Sequence, residues 1–429
     1  MDRDLIALGF VVCLLLFLSL GIPIAASILV LTTIGILLVA NVDPAVAMST
    51  AFFGQMTNWG LTALPLFVLM GELLSRSGIA QKLFDAFAVL VGRMPGGLIQ
   101  VNILASSLFA ALCGSSTATV ATIGQLSLPQ LRARKYPEGL VLGSLAGAGT
   151  LGILIPPSVA LILYGFAFNV SIGDLFLAGI LPGLMIAAIF SIYVGIRHRV
   201  VGRGSDMIVE TGGSRLRALV SLLPLIGLIV VVFGAIYRGF ATPTEAAVIG
   251  VVGAMILALF DRRLDMRVIV DALKATVLFC ATIGLILGAS AALQVAMAYT
   301  GIPRTIVTWI EGVNLGYYGL LLVIAAILIV LGCFMDGLSM IVLTGSILLP
   351  VAQSAGIDLL WFGVFIVILV EIGLITPPIG FNLFVLQRIS GWQLPQLAAA
   401  AFPFLLLMLL AIVIITIFPS IVTLLPSLL

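Results

Sequence analysis

The sequence predicts an all-α polytopic membrane protein with about ten transmembrane helices, two re-entrant hairpins and an inverted-topology repeat. Three observations carry that expectation. Of 429 residues, 62% are hydrophobic and only 8% charged, against about 25% charged in an average soluble domain. The apolar runs are long and continuous, where the strands of a membrane barrel would alternate. Two sets of helix breaks also share one spacing. Gly124, Pro129, Gly152, Pro156 and Pro157 recur at one constant offset as Gly345, Pro350, Gly373, Pro377 and Pro378. Gly/Pro interruptions at matching positions of two halves are the best sequence pointer to a transporter's binding site.

A helical span needs about 20 apolar residues. Ten crossings fall at 5–20, 22–40, 61–75, 138–165, 174–196, 218–237, 243–260, 275–298, 361–388 and 398–426. The first resembles a signal-peptide core. Its Met1-Asp2-Arg3-Asp4 start is net acidic and a second apolar run follows at once, so it reads as a retained span. Two apolar segments remain, about 100–130 and 320–350. Each is too long for one plain span and has a polar, glycine-containing centre, which predicts a re-entrant hairpin. Irregular backbone at membrane depth survives only inside protein or along a cavity. The short amphipathic pieces 80–91 and 303–312 precede the hairpins and are expected to lie along the interface.

Charge sets the orientation. With the 197–217 loop in the cytoplasm and every crossing alternating, 16 of the 19 Lys and Arg fall inside; Arg3, Arg238 and Arg304 do not. Five crossings separate the hairpins, so the first enters from the cytoplasm and the second from outside. The expected organisation is a first inverted repeat at 1–200, a cytoplasmic linker at 201–217 and a second repeat at 218–429. The net charge of +2 points to no class of partner, nucleic acid included. Cys13, Cys113, Cys280 and Cys333 lie in apolar stretches with neither CxxC nor metal spacing, which predicts free thiols.

The first hairpin centre reads Cys113-Gly114-Ser115-Ser116-Thr117-Ala118-Thr119, and the following span breaks between Gly149 and Ser158. Paired prolines stop a helix and free carbonyls. Hydroxyls facing freed carbonyls would form a hard, oxygen-rich site for a small cation such as Na⁺. Alternatively, Ser and Thr cap the hairpin and the prolines kink the span; the repeat favours the cation. The second centre carries Asp336, Gly337 and Ser339, and its partner break runs from Glu371 to Asn382. An intramembrane carboxylate such as Asp336 is a functional candidate by default. It could neutralise a cation, cap a half-helix, or do both. Glu371 stands where Thr150 stands in the first half, and either lines the site or pairs with a cation. Ser158 and Asn382 follow the breaks, where half-helix amide ends favour an anionic group. Thr150, Ser158, Glu371 and Asn382 are thus the substrate-binding candidates.

Other polar residues have plainer explanations. Thr242, Pro243 and Glu245 form a capping box. Glu72 is a bundle contact or interfacial group, and His198 belongs to a basic loop. GxxxxGK and HExxH are both absent, so enzyme chemistry is not expected.

Several stretches together resemble the large membrane (M) subunit of TRAP (tripartite ATP-independent periplasmic) transporters, the DctM-like proteins. They are Gly114 to Ala118, Gly149 to Ser158, Leu175 to Gly183, Gly239 to Ala247 and Ile372 to Phe384. Cys113 departs from the pattern, where the family more often has serine. The resemblance implies an elevator-type secondary transporter in the bacterial cytoplasmic (inner) membrane. It implies Na⁺-coupled import of a small organic acid, a C4-dicarboxylate or related carboxylate. A periplasmic substrate-binding protein would deliver it, and a small membrane subunit would pack alongside. No segment of that small subunit is expected within this chain. By position, one Na⁺ would be held around Ser115, Ser116, Thr117 and Gly152. A second would be held around Asp336, Gly337, Ser339, Gly373 and Thr376. The nearest rival is a stand-alone carboxylate or ion exchanger of similar inverted-repeat fold. An intramembrane enzyme or a passive channel fits less well.

Overall fold

The computed structural model describes residues 9–10, 12–14, 16–17, 20–39, 42–201, 214–300, 316–333, 335–377 and 380–428. Every regular element among them is helical. Half of the 5–20 crossing, all of the 303–312 piece and most of the 201–217 linker lie outside the described residues.

The described residues between 9 and 17 are helical, and the first helices with described bounds are α1 (Ile24–Val39) and α2 (Pro44–Met56). The second of these was not expected, because its sequence has no unbroken apolar run. Local caps build it: Asp43 accepts from the Ala45 amide at 2.8 Å and Pro44 opens the first turn. It meets the Trp59–Arg76 segment at a 54° bend, so the expected 61–75 crossing, α3 (Ala63–Arg76), is the second limb of an angled pair. The amphipathic piece forms α4 (Ile79–Val91).

The hairpins and broken spans follow the punctuation closely. The first hairpin is α5 (Leu98–Cys113) and α6 (Ser116–Ala133); the second is α13 (Gly316–Gly332) and α14 (Gly337–Ser354). The starts and the ends of α6 and α14 keep the same offset as the Gly/Pro breaks. The expected 138–165 crossing is α7 (Glu138–Thr150), a single 3₁₀ turn (Leu151–Ile153) and α8 (Val159–Phe168). The 361–388 crossing divides into α15 (Leu359–Leu374) and α16 (Phe381–Ser390).

Among the described residues, five unbroken helices are long and apolar enough to cross a membrane. They are α9 (Ile172–Val201), α10 (Arg215–Tyr237), α11 (Pro243–Phe260), α12 (Met266–Thr300) and α17 (Leu394–Ile417). The expected 398–426 span ends early at Phe418 and resumes as α18 (Ser420–Ser427). The capping box at α11 forms as expected, Thr242 and Glu245 each bonding the other's backbone amide.

The core sits around α7 and α15. Residues Trp361–Leu374 are buried on every face, as befits a helix apolar all round. Without a hydrophobic drive between helices in lipid, close approach relies on small residues. A Cβ on Gly373 would lie 2.7 Å from the Gly332 Cα, and one on Gly143 would lie 2.2 Å from the Ala400 carbonyl oxygen. These glycines set α13 on α15 and α7 on α17. Around the circumference, α10 and α11 expose Val230, Val231, Val252 and Leu259 to the surroundings. A soluble monomer rarely exposes a continuous apolar belt, so the chain is a multi-pass membrane protein. At one end, Lys82 pairs with Asp261, and Arg132 pairs with Glu138 while donating to the Ser390 carbonyl at 2.6 Å. Arg132 and Arg388 fall on one side in the charge count, and this contact brings their chain ends together.

Gly373→Leu should lower the yield of folded, monodisperse protein and the melting temperature in detergent, since overpacking costs about 1–3 kcal/mol or more. Gly227→Ala, which meets nothing within 4 Å, should leave both unchanged in size-exclusion and thermal-melting assays.

Candidate functional site

Each hairpin turns at a tip built from capping residues. In the first, Gly114 takes a left-handed φ of +59° as the C-cap of α5. A Cβ there would also come 3.2 Å from the Pro157 carbonyl oxygen, which places the tip against the broken span. Ser115 then N-caps α6, its Oγ accepting from the Ala118 amide at 3.4 Å. The Ser115 carbonyl accepts from the Thr119 amide at 3.1 Å and from Thr119 Oγ1 at 2.8 Å. The Ser116 hydroxyl donates to the Gly149 carbonyl at 3.0 Å and accepts from Asn382 Nδ2 at 2.8 Å. One hydroxyl thus joins the first hairpin, the first broken span and the second broken span. Gly152 is needed at the contact, because a Cβ would meet the Ser115 carbonyl oxygen at 2.8 Å.

The second tip uses a carboxylate for the same task. Asp336 N-caps α14, accepting from the Ser339 amide at 3.0 Å and from the Ser339 hydroxyl. In the break beyond α15, Thr376 Oγ1 donates to the Ile372 carbonyl at 2.5 Å. Gly380 carries φ +49° before α16 begins at Phe381. Pro378 and Ile379 lie outside the described residues. In the first break, Ser158 N-caps α8 by accepting from the Leu161 amide at 3.2 Å, and donates to the Ile153 carbonyl.

Both tips face one cavity of about 260 Å³. Ser115, Ser116 and Thr117 reach it from the first tip, and Asp336 and Gly337 from the second. Ile153, Leu374 and Phe381 line it from the two breaks. The fourth side is α3, through Gly71, Glu72 and Ser75. Sequence reasoning missed this contribution. Its one available signal was a carboxylate within an apolar span, and Glu72 is paired with Arg76 at 3.0 Å. Among the described residues, two carboxylates and no Lys, Arg or His line the cavity.

The remaining expected residues stand behind this wall. Gly152 and Gly373 are packing contacts immediately outside it. Thr150, Ser158, Glu371 and Asn382 are fully buried, and none of them lines the cavity. Thr150 donates to the Gly147 carbonyl at 2.7 Å. Neither oxygen of Glu371 has a hydrogen-bond partner, and no described cation pairs with it.

Two helical hairpins whose tips meet two broken spans around one cavity define a membrane carrier. Residues 11–421 match the family described as the tripartite ATP-independent periplasmic transporter, DctM component. The C4-dicarboxylate TRAP transporter large permease protein DctM of Pseudomonas aeruginosa is 36% identical over 401 residues, 91% of this chain and 92% of its own length. The sialic acid TRAP transporter large permease protein SiaM of Vibrio cholerae is 31% identical, covering 95% of each chain. The YdaH transporter of Alcanivorax borkumensis, described as having an unusual topology, shares the fold. Its TM-score is 0.65 at 15% identity, over 97% of this chain and 99% of its own. This chain belongs to the DctM family of TRAP transporter large permeases.

Asn382→Ala removes the buried amide that Ser116 accepts from, and should cost about 1–2 kcal/mol of stability. Thermal melting or denaturant unfolding in detergent would read the loss.

Proposed function

We propose that this chain is the transport pathway of a Na⁺-coupled secondary importer of small organic acids, C4-dicarboxylates or related carboxylates. One observation carries the reading: oxygen donors from both hairpin tips, including the Asp336 carboxylate, converge on a cavity with no cationic lining residue among those described. An organic anion entering alone would meet the carboxylate of Asp336, the Glu72 carboxylate being already paired with Arg76. A cation taken up beside Asp336 removes that repulsion, so anion binding would require it, and this requirement is the coupling. The donor set of carboxylate, hydroxyls and carbonyls suits a hard cation.

The first cation position is Ser115, Ser116, Thr117 and Gly152, and the second is Asp336, Gly337, Ser339, Gly373 and Thr376. The substrate lies between the tips. Ser158 and Asn382 hold the breaks that aim the half-helix ends of α8 and α16 at it, with Thr150 and Glu371 on the spans behind. The halves 1–200 and 218–429 form an inverted repeat. The hairpins and broken spans move together, as an elevator, against α1–α3 and α10–α12. A small membrane subunit and a periplasmic binding protein complete the machine in the bacterial inner membrane. Relatives named for dicarboxylate and for sialic acid share carboxylate chemistry, and the binding protein would select among such acids.

Uptake into proteoliposomes holding both membrane subunits, with binding protein outside, should follow an imposed inward Na⁺ gradient. Uptake indifferent to the gradient would sink the coupling, and uptake by this chain alone would favour a stand-alone exchanger. Asparagine caps helices about as well as aspartate, so Asp336→Asn should preserve protein level. It should raise the Na⁺ concentration for half-maximal uptake about tenfold or more, the scale of a lost charge-assisted contact. An unchanged Na⁺ dependence would remove Asp336 from the cation site.

A further inference from the structure

A second cavity, of about 330 Å³, opens between α7, α9 and α17 at the end of the bundle that carries Arg132 and Arg197. The transport reading makes no use of it. Its walls are apolar: Ile99, Leu140, Pro403 and Phe404 line it, and Tyr193 sets its ring edge-on to Phe404 at 5.3 Å. Its polar rim is basic. Arg197 and His198, in the last turns of α9, line the opening, and neither takes part in an ion pair among the described residues. No Asp or Glu is among its described lining residues, and Glu138, between the lining residues Pro137 and Gly139, is already engaged by Arg132.

The surroundings indicate what kind of molecule enters. On α9, Ile192, Ile196 and Val200 form an exposed stripe at four-residue spacing; on α17, Phe402, Leu406, Leu410 and Val413 form another. Both stripes adjoin residues that line the cavity, Tyr193 and Arg197 on α9 and Pro403 on α17. A free anion would use only the rim and leave the apolar walls and both stripes uncovered. An acyl chain alone would have no use for the arginine. A molecule with a phosphate at one end and hydrocarbon at the other uses all three features. Basic pockets between spans on the cytoplasmic side are suited to anionic lipid headgroups.

We propose that this cavity binds the phosphodiester headgroup of an anionic phospholipid, whose acyl chains lie along the outward stripes of α9 and α17. Arg197 is the charged ligand, and the His198 imidazole supplies a further N–H donor.

The test uses the full chain purified in detergent, with phosphatidylglycerol, phosphatidylcholine and soluble glycerol phosphate as probes. Native mass spectrometry should retain one phosphatidylglycerol per chain, and thermal melting should rise with it and not with phosphatidylcholine. Arg197→Gln should weaken retention about fivefold, the scale of one basic group at an anionic surface. Ala399→Phe, which fills the cavity from an exposed position and leaves the charges alone, should weaken it as well and covers the case in which the arginine variant fails to fold. Equal retention of phosphatidylcholine, or undiminished phosphatidylglycerol binding by the variants, would overturn the proposal. Stabilisation by glycerol phosphate matching that by the lipid would also overturn it, in favour of a soluble phosphate.

Discussion

Backbone amides and carbonyls cannot be left unpaired in hydrocarbon, and each unpaired group costs several kcal/mol, so every interrupted helix here must be closed within the protein. Four helix ends meet that constraint with short polar side chains or glycine: Ser115, Ser158 and Asp336 at helix starts, and Gly114 at a helix end. The polar atoms that close the breaks are the atoms that border the central cavity or stand directly behind it. Structure and chemistry therefore draw on one set of residues. A substitution at these positions alters the fold and the site together unless, as with aspartate to asparagine, the cap is kept and only charge changes.

The two halves close their breaks in the same geometry with different chemistry. Ser115 and Asp336 occupy matching positions, each accepting from an amide three residues on, but one brings a neutral hydroxyl and the other a carboxylate. Thr150 and Glu371 match in the same way; the threonine satisfies its hydroxyl on its own helix, and the glutamate finds no partner among the described residues. Common backbone geometry with unequal charge concentrates the negative potential at the second tip, alongside Glu72 from α3.

Contacts between the halves tie the hairpins to the broken spans. Asn382 at the head of α16 reaches Ser116 at the head of α6, and Arg132 near the tail of α6 reaches Ser390 at the tail of α16. On the other pair, Gly345 of α14 lies against Phe168 at the end of α8, and the Tyr164 hydroxyl donates to the Leu359 carbonyl at 2.6 Å. Each hairpin thus rests on the second half-helix of the opposite broken span.

The local layers of this architecture were legible in the sequence. The Gly/Pro spacing marked both hairpins and both breaks, because a missing amide or a left-handed turn leaves its trace in the residue itself. The Thr242 box and the Asp336 cap were legible for the same reason. Helix α2 was not, since its capped start had no apolar run to announce it, and the division of the final span at Phe418 was likewise hidden. The cavity was only half legible. The tips pointed to Ser115, Thr117 and Asp336, whereas Glu72 and Ser75 join them from α3, a helix that precedes the first hairpin altogether. Thr150, Ser158, Glu371 and Asn382 sit at the expected places along the chain yet are buried behind the cavity's lining. Rotation of a side chain about a buried helix depends on which neighbours pack against it, and an all-apolar helix carries no periodicity to reveal that. Sequence alone determined where the two hairpins and the two paired broken spans are interrupted, because those are short-range requirements of the backbone. Only the tertiary structure decided which capped ends share a cavity and which polar groups are sealed behind it, because contacts between opposite halves of the chain are set by packing.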